Sequence, residues 1–113
     1  MAVARITIVQ PRPGNEQQVL QLLQELGDFY AQQPGHIAGF VFRFHESHHD
    51  RHRDFGRIGV WESREAADAA ARLTHTEALR SRLNMLLGRE HEEWLVDVVG
   101  TPHNIPVGRG AAR

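Results

Sequence analysis

Apolar and polar positions alternate over the first ten residues, with Ala4, Ile6 and Ile8 on one side and Val3, Arg5, Thr7 and Val9 on the other. That is the period of a strand. Pro11-Arg12-Pro13-Gly14 stops the alternation, and Asn15 with Gln18 three residues on has the form of a capping box. The period then becomes helical: Val19, Leu22, Leu23, Leu26, Phe29 and Tyr30 share one face, which predicts a helix over about 15–32. Gly27 costs that helix about 1 kcal/mol relative to Ala, so the close contact it allows matters to the fold. After Pro34-Gly35 a second strand sets Phe40, Phe42 and Phe44 against Val41, Arg43 and His45. Ser47 to Asp54 holds no apolar residue and reads as a solvated hairpin connection. The third strand runs from Phe55 to Trp61.

Ser63 is a good N-cap for the Ala-rich helix that follows. Thr74 and Glu77 make a second capping box, so this helix is expected in two pieces, the later one carrying Leu79, Leu83 and Leu86. Beyond Gly88, Trp94, Val96 and Val98 alternate with Leu95, Asp97 and Val99 as a fourth strand. The order βαββαβ predicts an α+β, ferredoxin-like domain over residues 1–100, a four-stranded antiparallel sheet with helices on one face. Residues 101–113 lack periodicity and are expected as an arm or disordered tail. The first and fourth strands are apolar on both sides, through Ala4, Ile6 and Ile8 and through Leu95 and Val99. Their second face therefore needs a cover, and a second copy of the chain is the available one.

Composition narrows the chemistry. In 113 residues the basic side chains are 13 arginines with no lysine, set against 14 acids for a formal charge of −1. No global field draws such a chain to nucleic acid or an anionic membrane. Without lysine there is no Schiff base, and without cysteine no thiolate nucleophile or thiolate metal site. The start is strand-like and no run approaches a membrane span, so a cytoplasmic protein is expected.

The run RIGVWESREAADAAARLTHTEAL, together with VARITIVQPRPGNEQQV and QQPGHIAGFVFR, resembles the antibiotic biosynthesis monooxygenase family over about residues 3–100. The resemblance implies a homodimer with sheets face to face, a dimeric α/β barrel. It also implies a pocket between helices and sheet in which some members oxidise quinols or polycyclic phenols with O₂ and no cofactor, while others degrade haem. In the haem branch a strand-1 Asn position corresponds to Thr7 and the axial-ligand position falls on Arg80, neither of which can serve. Trp61 matches the Trp that ends strand 3 in the haem branch, whereas His75 lines up with the histidine common among the quinol-oxidising members. No resident cofactor or metal is expected.

Candidate roles follow, each beside a plainer one. His75 could act as a base on a phenolic hydroxyl, its ordinary pKa near 6.5 suiting the task, or simply decorate a helix start. Trp61 could wall a planar ligand, or be core. Arg5 and Thr7 share one face of their strand, and Arg57, Gly59 and Trp61 one face of theirs. Two arginines there could hold an anionic oxygen, with Gly59 leaving room for a ligand, or else make surface ion pairs. Tyr30 could place its hydroxyl in the pocket or merely cap the core. His45, His48, His49 and His52 with Asp50 and Asp54 lack the rigid scaffold a metal site needs. The resemblance implies a cofactor-free monooxygenase acting on a quinol or polycyclic phenol, and beside it stands a non-catalytic, stress-associated or small-ligand-binding protein on the same scaffold.

Overall fold

The computed structural model describes residues 1–45 and 54–100. The elements are β1 (Val3–Val9), α1 (Glu16–Tyr30), β2 (His36–Arg43), β3 (Phe55–Trp61), α2 (Arg64–Ala71), α3 (Thr74–Asn84) and β4 (Glu92–Asp97). The sequence-predicted order and the break in the second helix are both present. The hairpin segment with His48, His49 and His52 and the tail beyond Gly100 lie outside the described residues.

Two of the three predicted caps differ in detail. Ser63 does cap α2, its hydroxyl accepting from Ala66 N at 3.1 Å. Asn15 is the N-cap of α1 but makes no side-chain cap bond, and Glu16 Oε1 instead accepts from Gly14 N at 3.0 Å. The box expected from Thr74 does not form either, because α3 already includes Thr74 and its N-cap is Leu73. The corner between α2 and α3 is tied by Thr76, fully buried, whose hydroxyl donates to Ala70 O at 2.8 Å. The hydroxyl inside that turn gives this helix-end carbonyl a second and shorter bond beside the one it accepts from Leu73 N at 3.3 Å.

All four strands form one antiparallel sheet in the order β2-β3-β1-β4. Register makes two unlike faces. On the helix side, rows run Gly39, Gly59, Arg5, Leu95 and Val41, Arg57, Thr7, Glu93, while His36 and Trp61 stand beside Val3. Val19, Leu22, Leu23 and Leu26 from α1 and Leu79 and Leu83 from α3 close over this side with Val3, Val9, Phe55 and Trp61 to form the core. The opposite side carries the rows Phe40, Ile58, Ile6, Trp94 and Ala38, Val60, Ala4, Val96. Among the described residues no helix covers it, and Phe40 is 59% and Trp94 49% exposed. So large an open apolar face is unusual for a chain that stays alone in water.

Candidate functional site

The side chains that face the helices from β1 and β3 meet those of α1 and α3 around a cavity. It is small, about 20 Å³, room for a single water. Its walls include Trp61, Tyr30, Arg5, Thr7, Arg57, Arg80, His91 and Glu93. Five sequence candidates, Trp61, Tyr30, Arg5, Thr7 and Arg57, thus converge there. His75 does not line it: the side chain is exposed at the start of α3, its ring 4.4 Å from that of Phe29.

Trp61 is buried and meets two rings edge to face, Tyr30 at 5.5 Å and His36 at 5.0 Å. That clamp fixes the indole plane. Burial pushes the Tyr30 phenol above its ordinary pKa, against the opposing pull of Arg80, Arg57 and Arg5. The hydroxyl therefore stays protonated at neutral pH.

The three arginines are not equivalent. Arg5 Nη2 donates to Asp68 at 2.8 Å, and its Nε lies 3.4 Å from Glu93. Arg80 Nη2 donates to Glu93 Oε1 at 2.6 Å and stands 3.2 Å from His91 Nε2, which is itself 3.2 Å from Glu93. Burial alone would raise the Glu93 carboxyl, but Arg80, Arg5 and His91 outweigh it and hold the group below its usual pKa. Asp68 is held down chiefly by its hydrogen bond from Arg5. Both acids are thereby consumed by Arg5 and Arg80.

Arg57 has neither an ion pair nor a hydrogen bond among the described residues, although only 6% of it is exposed. Its guanidinium carbon lies 4.8 Å from the centre of the Tyr30 ring, a cation–π contact. Burial lowers its pKa, the nearby Tyr30 hydroxyl working the other way, yet guanidinium remains charged at any ordinary pH. Glycines make the space for it. A Cβ at Gly59 would stand 2.7 Å from Arg57 Nη1, one at Gly39 3.0 Å from Nη2 and one at Gly27 3.2 Å from Nε. Gly59, expected to leave room for a ligand, leaves it for Arg57 and for the Trp61 indole, whose Nε1 would be 3.2 Å away.

Arg80, Glu93 and His91 were not among the sequence candidates. Parity could have found Glu93, which alternates with Leu95 on the helix side of β4, and its pairing draws in the other two. Among the described residues no three His, Asp or Glu side chains gather closely enough to hold a metal ion. Nor, among those residues, is any helix long and apolar enough to cross a membrane.

Compared with known proteins, residues 1–82 match the sequence profile of the antibiotic biosynthesis monooxygenase family. The chain belongs to that family. No curated protein matches it in sequence. Among solved structures, this family member superposes on SnoaB, a cofactor-independent oxygenase from Streptomyces nogalater, with a TM-score of 0.74 at 19% identity, covering 88% of this chain and 95% of that one. It superposes on Rv0793 from Mycobacterium tuberculosis with a TM-score of 0.78 at 17% identity, covering 91% and 100% of the two chains. Identities this low carry the fold alone.

Proposed function

We propose that this member of the family is a cofactor-independent monooxygenase acting on a quinol or phenol that it binds as the oxyanion. The observation that supports this most is the buried, unpaired Arg57 guanidinium beside Trp61 and Tyr30. A buried cation without a counter-charge is costly, and a phenolate oxygen supplies the missing charge in a cavity already walled by aromatic rings. An electron-rich anion is also what reacts with O₂ without a metal or flavin. In balance, a phenol with a free ring position and one O₂ give a quinone and one water, the ring C–H becoming C=O. His91 is the imidazole at the cavity wall and takes the role of proton acceptor, with Glu93 as its carboxylate partner.

The test is oxygen uptake with a panel of quinols, under air and under nitrogen, for wild type, Arg57→Met, His91→Ala and His75→Ala. Uptake that falls in the first two variants and persists in the third is the expected result. No uptake by wild type, or equal uptake in all variants, sinks the proposal. One observation favours a second reading, a small-ligand-binding protein without turnover: the cavity admits only a water, so a ring fits only if wall side chains move. Saturable quinol binding with no oxygen consumed would favour that role. In either reading the open sheet face seats a second copy, because its apolar rows span all four strands.

A further inference from the structure

The central cavity has two chemically unlike ends. Arg57 comes from β3 and Glu93 from β4, and β1 runs between those strands with the short Thr7 side chain in the same row. Their backbones are therefore two strand spacings apart, about 10 Å, and one aromatic ring with its substituents spans what the two side chains leave. We infer that Glu93 reads the end of the substrate opposite the oxyanion: it accepts a hydrogen bond from a neutral hydroxyl there and turns away a second negative charge. The site then takes a singly ionised quinol and refuses phenols that carry a further acid group. This rests on the reading that Arg57 holds the oxyanion.

Glu93 has an acceptor position left over. A carboxylate offers about four. Arg80 Nη2 at 2.6 Å and His91 Nε2 at 3.2 Å both stand at Oε1. Oε2 has Arg5 Nε at 3.4 Å, a contact too poorly aligned to give that Nε a hydrogen bond. The less engaged oxygen thus belongs to a side chain on the cavity wall, and a ligand hydroxyl supplies the donor it lacks.

Charge excludes the alternative. At this end two arginines face two acids. Arg80 is taken by Glu93, while Arg5 lies between Glu93 and Asp68, its Nη2 donating to Asp68 at 2.8 Å. Burial opposes ionisation of Glu93, but Arg80 and Arg5 outweigh it, so the carboxylate is charged at neutral pH. Both arginines of this end are spoken for, and a second anionic group on the ligand would be buried against Glu93 without a cation of its own.

Four para-substituted benzoates test this without turnover, each carrying a carboxylate in place of the phenolate at Arg57. At the far end 4-hydroxybenzoate and 4-methylbenzoate differ by a donor, and 4-carbamoylbenzoate and terephthalate by one charge. Titration calorimetry on the full chain at neutral pH is expected to show the hydroxyl compound bound about tenfold tighter than the methyl one, the worth of one hydrogen bond to a charged group. Terephthalate is expected to bind at least about tenfold more weakly than the amide. Glu93→Gln releases Arg5 and Arg80 and should bring terephthalate level with the amide or above it, whereas Asp68→Asn makes the same change of charge outside the cavity wall and should keep the wild-type order. Terephthalate equal to the amide in wild type, terephthalate equally disfavoured in Glu93→Gln, or no binding of 4-hydroxybenzoate each overturns the inference. Arg57→Met separates the two readings. Binding of 4-hydroxybenzoate that survives it removes the oxyanion from Arg57 and the role of Glu93 with it; binding that needs Arg57 but ignores the change at Glu93 overturns this inference alone, and oxygen uptake is scored apart from both.

Discussion

At the scale of single residues, Arg57 trades stability for readiness. Replacing a buried, unpaired charge by an apolar chain of similar length removes a desolvation cost, so Arg57→Met is expected to raise unfolding free energy by about 1–3 kcal/mol while ligand binding is lost. Chemical denaturation beside a quinol-binding assay checks both. His36 makes a pH prediction. Its folded pKa lies below the ordinary 6.5, so the unfolded chain takes up the proton first; the contribution to stability is complete above that value and is lost as pH falls through the folded pKa. Midpoints measured between pH 7.5 and 5 should decline less steeply in His36→Phe than in wild type. Which way Arg57 points was legible, because it shares parity with Trp61 along one strand. What lies around it was not: Gly27, Gly39 and Gly59 come from α1, β2 and β3, and only the packing of those elements shows that their missing side chains serve one guanidinium. His75 shows the opposite limit. Helix periodicity tells which residues share a face, but not how far a short helix such as α3 is rotated about its axis, and that rotation leaves His75 on Phe29 and brings Arg80 to the cavity.

Elements were the most legible level, since strand and helix periods are local properties of the chain. Caps were less so. Thr74 and Glu77 have the right spacing for a box, yet Thr76 does the tying, because a buried carbonyl at the end of α2 competes for a hydroxyl more strongly than an exposed helix start does. Thr76→Val keeps the shape and deletes the donor. It should cost about 0.5–1.5 kcal/mol by deleting the shorter of the two hydrogen bonds to Ala70 O, comparable with about 1 kcal/mol for Ser63→Ala at the more open cap of α2. No loss at Thr76 in thermal or denaturant unfolding would contradict its role as the tie of this corner.

For the whole molecule, the apolar rows on the open side of the sheet are what the two-sided strands foretold. Phe40 and Trp94 end the same row, separated by Ile58 and Ile6, so a charge at either end enters the apolar face that a face-to-face contact would bury. Light scattering of the 12.8 kDa chain should give twice that mass for wild type, and the single-chain mass for Trp94→Glu or Phe40→Glu. A wild-type monomer would refute the pairing. The second face could be read as needing a cover because a strand that is apolar on both sides gains from its side chains only when both sides leave water.

The glycines around Arg57 also constrain the order in which this site can be built. While the arginine is present, alanine at 59 meets a guanidinium nitrogen at 2.7 Å; with a small residue at 57 the nearest atom left is Trp61 Nε1 at 3.2 Å. Mutational routes to this arrangement therefore run through glycine first and arginine second, and the reverse order passes through a clash. The asymmetry is measurable in a double-mutant cycle: Gly59→Ala should be costly beside Arg57 and much less so beside Ala at that position, a coupling that neither substitution reveals alone.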